Sequence, residues 1–60
     1  MGNNYKIVNN INGTVFETTN EYRWFDELSL ILENIIASKI KYRLWNTNNR
    51  TIYITRKEQE

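Results

Sequence analysis

Trp24, Phe25, Leu28, Ile31, Leu32, Ile35 and Ile36 recur at the three- and four-residue spacing of one helical arc, while the sequence on either side alternates with a period of two. One helix between two alternating stretches leaves few folds open. Arg23, Asp26, Glu33 and Asn34 lie opposite the arc, with Leu30 among them. Thr18 or Asn20 can cap the helix, and Thr18-x-x-Glu21 has capping-box form. Acidic residues crowd its first half, where they favour the helix dipole.

The stretch "YKIVNNINGTVFETT" reads as a hairpin. Asn12-Gly13 suits a two-residue type I′ turn, because both central positions need positive φ. A four-residue loop, Asn10 to Gly13, keeps the same facing. In either case Tyr5, Ile7 and Phe16 share one face with Thr18 beside them, and Lys6, Val8, Val15 and Glu17 share the other. The two asparagines Asn9 and Asn10 weaken the end of the first strand.

The stretch "KIKYRLWNTNNRTIYITRK", residues 39–57, reads as a second hairpin. A loop of Thr47, Asn48 and Asn49, with Asn49 left-handed, sets Leu44 opposite Ile52 and Tyr42 opposite Ile54. Ile40, Tyr42, Leu44, Ile52 and Ile54 then face the core. Lys39, Lys41, Arg43, Trp45, Thr51, Tyr53 and Thr55 face away. This register is preferred because it separates the two sets. "RKEQE" reads as a polar tail.

The predicted order is β-β-α-β-β, an α+β fold in which an antiparallel sheet carries one helix on one face. All 60 residues form a single small domain. A chain of this size buries only about 60% of its unfolded surface. With no cysteine and no histidine, neither a disulfide nor an ordinary zinc site can reinforce it. Good packing or a second copy of the chain must do so, and a homodimer is expected.

No enzyme is expected. A histidine or cysteine base or nucleophile is lacking, and Gly2 and Gly13 are the only glycines, so no phosphate-cradling loop exists. Asp26 and Glu27 point apart on a helix, and Glu33 lies two turns on. A solvated helix face explains them better than a carboxylate pair does. No cofactor and no metal is expected. "LSLILENIIA" is too short and too interrupted to span a bilayer, so no membrane partner is expected. The first residues form neither a secretory pattern nor a myristoylation site. The chain is rich in Asn, Ile and Lys and has no Pro, a usage that suits AT-rich coding DNA of low-GC bacteria or their phages. A host-cytoplasmic phage protein is the expectation that follows.

What remains is surface. The net charge is +1, but Glu17, Glu21, Asp26, Glu27 and Glu33 precede the basic residues Lys39, Lys41, Arg43, Arg50, Arg56 and Lys57. Such a chain can carry an acidic and a basic face. Lys41, Arg43, Trp45 and Tyr53 on an open sheet face match the aromatic-basic surfaces that bind single-stranded nucleic acid. The same residues are also good strand formers with solubilising neighbours. Trp45 is the most informative of them, since exposed tryptophans concentrate at interface hot spots.

The segments "NYKIV", "NING" leading into "TVFE", "FDELSLIL" and "KIKYRL" resemble the small inhibitors of uracil-DNA glycosylase encoded by Bacillus phages. The likeness runs from about Tyr5 to Leu44. It implies a dimer whose paired helices form an apolar pocket. That pocket holds a projecting side chain from the DNA-binding loop of the enzyme, while acidic groups imitate phosphates. Phe25 followed by Asp26 occupies the matching positions. Ser29 stands where the family has a further aromatic, and "RTIYITRK" is an added strand. The reading that results is an inhibitor of a host DNA-acting enzyme, with uracil-DNA glycosylase the candidate, bound through Trp24, Phe25, Asp26, Glu27 and Leu28. The alternative is a nucleic-acid-binding module that uses the second hairpin.

Overall fold

The structure, a computed structural model, describes residues 4–57. Residues 58–60 of the polar tail and the first three residues lie outside the described part. The elements are β1 (Tyr5–Asn9), β2 (Thr14–Thr18), α1 (Glu21–Ala37), β3 (Tyr42–Asn46) and β4 (Thr51–Arg56). The order is β-β-α-β-β, as the alternation and the helical arc predict, and the one helix packs on one face of the sheet.

The sheet order is β2-β1-β4-β3. Both hairpins are antiparallel, but the central pair β1 and β4 is parallel. The sheet is therefore mixed, not wholly antiparallel. Helix length gives the reason. Seventeen residues at ~1.5 Å each reach about 25 Å, longer than the ~17 Å of a five-residue strand. One pass of α1 returns the chain to the end of the sheet where β2 began, so β3 runs parallel to β2. Each hairpin reverses direction once, and the inner strands β1 and β4 must then be parallel as well.

The first hairpin uses the four-residue loop. Asn9 pairs with Thr14, Gly13 takes φ +78°, and its N–H donates to the Asn9 carbonyl at 2.9 Å. Far from fraying, the end of β1 is buried at Asn9, whose Oδ1 accepts from Ile11 N–H at 3.0 Å. The short polar side chain closes the turn from inside, so the asparagine that weakens a strand by propensity completes this one.

The second hairpin keeps its predicted facing but not its register, and Leu44, on the helix side of the edge strand β3, is 39% exposed and not part of the core as expected. Leu44 pairs with Ile54, Tyr42 with Arg56 and Asn46 with Ile52. The left-handed residue is Arg50, at φ +56°, and not Asn49. Thr47 explains the shift. Its N–H donates to the Thr51 carbonyl at 2.9 Å, and its Oγ1 accepts from Asn49 N–H at 3.2 Å. The three-residue loop thus shifts by one residue, to Asn48, Asn49 and Arg50. The Arg50 carbonyl accepts from Lys6 N–H at 3.0 Å, which extends the central parallel ladder.

Asn20 is the helix cap: its Oδ1 accepts from the N–H groups of Tyr22 and Arg23 at 2.9 and 3.3 Å. Thr18 belongs to β2 and supports the cap by accepting from Asn20 N–H. At the other end Ile40 N–H donates to the Ile35 carbonyl and Lys39 N–H to the Ile36 carbonyl. With Lys39 at φ +59° this is a Schellman stop built without glycine.

Ile7, Trp24, Ile35, Ile52 and Ile54 form the buried core, with Tyr5, Phe16, Leu28, Ile31, Leu32, Ile40 and Tyr42 packed around it. Tyr5 lies between the Trp24 ring, 4.7 Å away, and the Arg50 guanidinium, 5.8 Å above its centroid. Every buried side-chain polar atom among the described residues has a hydrogen-bond partner.

Candidate partner-binding surfaces

Two surfaces remain on opposite sides of the molecule, and each is set by which elements cover it. The first is a flank of α1. A helix that rests on a sheet buries a narrow stripe, and here the arc is wider than the stripe. Trp24 and Ile35 are buried at its centre, while Phe25 is 49% and Ile36 61% exposed on its edge. Tyr22, 82% exposed, stands beside them. Tyr22, Phe25, Ser29, Leu32 and Ile36 repeat at alternating three- and four-residue steps and fall within an arc of about 80°. This is the spacing of a helix-pairing seam. Exposed Asp26 and Glu33 border it on its outer side.

The five residues assigned to partner contact separate here. Trp24 is core: its Nε1–H donates to the Lys6 carbonyl at 3.1 Å. Leu28 packs against the same core, and Glu27 is half-buried. Phe25 and Asp26 do face outward. The Phe25 ring leans on Trp24 with 5.3 Å between centroids and 39° between planes, so the buried indole fixes the exposed ring. Tyr22 and Ile36 are the surface residues that the sequence reading left out. Their signal was available in the 3-4-3-4 spacing, which the broader core arc hid.

The second surface is the face of the sheet turned away from α1. The pairings place Val15 beside Val8, Val8 beside Tyr53 and Tyr53 beside Trp45, so one apolar row crosses all four strands. Trp45, 46% exposed, and Tyr53 stack with centroids 5.6 Å apart and planes 22° apart. On one side of the row stand Thr55 and Arg43, then Lys57 and Lys41, whose backbones continue the ladder through Lys57 N–H to the Lys41 carbonyl at 2.9 Å. On the other side stand Thr51, Lys6 and Glu17. The structure thus brings Lys41, Arg43, Trp45 and Tyr53 together on one face. It adds Lys6, Val8, Val15 and Lys57, which only the strand order could reveal.

Among the described residues no group of three or more His, Cys, Asp or Glu side chains is placed to hold a metal ion. No helix among them is long and apolar enough to cross a membrane. Fold and surfaces together define a small α+β domain with a four-stranded mixed sheet and a single helix. No family model matches the chain, and neither a curated protein nor a solved structure matches it.

Proposed function

We propose that this chain is a non-enzymatic binding protein, encoded by a phage and active in the host cytoplasm, that blocks a DNA-acting host enzyme as a homodimer. The exposed seam of α1 carries the reading: Tyr22, Phe25 and Ile36 are left open on a chain too small to spare apolar surface, with Asp26 and Glu33 along their border. An enzyme that grips DNA presents a basic groove. An acidic border steers association with such a groove, and a half-exposed aromatic ring at its centre supplies a contact that excludes water. The resemblance to the uracil-DNA glycosylase inhibitors names the candidate target.

The test is uracil excision by a bacterial uracil-DNA glycosylase, titrated with the protein. Stoichiometric protein should abolish excision, and DNA should compete for the enzyme. Phe25→Ala should cost about 2–4 kcal/mol of binding as a hot spot. Asp26→Asn should chiefly slow association and reduce its dependence on salt. Unchanged excision in a large molar excess of folded protein would end the reading.

A further inference from the structure

We infer that the helix-free face of the sheet is a second binding site, and that its ligand is single-stranded nucleic acid. This inference does not rest on the inhibitor reading, which uses the opposite side of the molecule. Three observations on this face converge on the same ligand chemistry.

The first is the Trp45–Tyr53 pair. Two aromatic side chains on adjacent strands, with centroids 5.6 Å apart and rings 22° from parallel, form one aromatic platform whose Trp45 end is 46% exposed. Unpaired bases stack on such platforms whatever their identity, because every base has a π-face.

The second is the sign of the flanking charge. Lys41, Arg43 and Lys57 lie on one side of the platform, and the hairpin from Lys41 to Lys57 contains no acidic residue. The described acids are on β2 and α1, and of these Glu17 alone stands on this face, on the side away from that edge. A ligand bound here meets cations along one edge and apolar rings beside them. A polyanion with flat apolar bases has that arrangement: phosphates against the Lys41–Arg43–Lys57 edge and bases over Trp45 and Tyr53.

The third is extent. Three inter-strand gaps of ~4.8 Å make the row from Trp45 to Val15 about 14 Å long. Sheets of this kind hold two or three stacked bases. Val8 and Val15 extend the apolar floor beyond the rings. Lys6 stands in the adjacent row on the far side, directly opposite Glu17, so the cationic edge is the Lys41–Arg43–Lys57 side.

The measurement is the binding of a fluorescently labelled, mixed-sequence single-stranded DNA oligonucleotide at low salt, with the same sequence as a duplex in parallel. Single strands should bind and quench tryptophan emission, since Trp45 is exposed while Trp24 is buried. The duplex should bind more weakly. Trp45→Ala should weaken binding roughly 5- to 150-fold through lost stacking. Trp45→Phe should retain most of it, which separates stacking from misfolding. Arg43→Ala should lower the slope of log affinity against log salt by about 0.7. Phe25→Ala should leave oligonucleotide binding unchanged, and Trp45→Ala should leave glycosylase inhibition unchanged, so the two sites fail separately. The inference is overturned if folded protein binds no oligonucleotide at low salt, or if Trp45→Ala binds as tightly as the parent. It is equally overturned if Trp45→Ala abolishes inhibition of the enzyme, because the face would then be a protein contact.

Discussion

The indole Nε1–H of Trp24 donates to the carbonyl oxygen of Lys6 across 3.1 Å, tying the first turn of α1 to the start of β1. One side chain thus couples the helix to a central strand by both packing and a hydrogen bond. Trp24→Ala removes both. Core truncations of this size cost about 3–5 kcal/mol, comparable with the whole stability of a domain this small. The variant should be largely unfolded by circular dichroism. Trp24→Phe keeps most of the volume but not the donor, and should lose about 1–3 kcal/mol. Urea unfolding with an unchanged m value would register that loss.

The helix, the four strands and the facing of every core residue on them were legible because periods of 2 and 3.6 are written locally. Three features were not. Moving Leu44 from Ile52 to Ile54 is a two-residue slip, and an even slip leaves every side chain on its own face. The choice was made by contacts that alternation does not encode, above all Thr47 with Asn49 and Thr51. The parallel centre depends on which hairpin edges meet, and no residue in β1 or β4 states that. The depth of the arc was hidden too. From Ile31 to Ile36 it spans about 140° at 100° per residue, more than one sheet covers. Trp24 therefore sank to the core, while Phe25 stayed at the surface.

Lys39 holds a left-handed conformation where helices usually place glycine. That conformation costs an ordinary residue about 1–2 kcal/mol, while glycine gives back ~0.4–1 kcal/mol through a freer unfolded chain. Lys39→Gly should therefore stabilise the protein by about 0.5–1 kcal/mol, raising the denaturant midpoint. A lower midpoint would mean that the Lys39 side chain contributes more than its backbone strain costs.

The cap at Asn20 can be distinguished from its neighbour. Asn20→Ala removes an acceptor that serves two helix N–H groups and should cost about 1 kcal/mol. Asn20→Ser should restore most of it. Thr18→Ala, which leaves those two bonds in place, should cost less than Asn20→Ala. If the two alanine variants reverse that order in chemical denaturation, the cap has been assigned to the wrong residue.

The seam of α1 predicts how the homodimer behaves. Ser29, Leu32 and Ile36, the C-terminal part of the seam, have the spacing that two helices use to pair, and leaving them in water forgoes stabilisation that a small chain lacks elsewhere. Tyr22 and Phe25 of the two copies then stay open at the N-terminal end, where the enzyme is held. Light scattering at micromolar concentration should give about twice the 7.3 kDa chain mass. The melting temperature should rise with protein concentration, because pairing stabilises the folded state by mass action. Two copies packed seam to seam also gather Asp26 and Glu33 from both chains along the border. Their mutual repulsion opposes pairing, so added salt should tighten the dimer by screening it. Ile36→Glu adds a further charge inside the seam at a position already 61% exposed. It should give a folded monomer whose melting no longer depends on concentration. A parent protein that stays at the monomer mass, and melts at one temperature over a hundredfold range of concentration, would show that the seam does not pair the chain with itself.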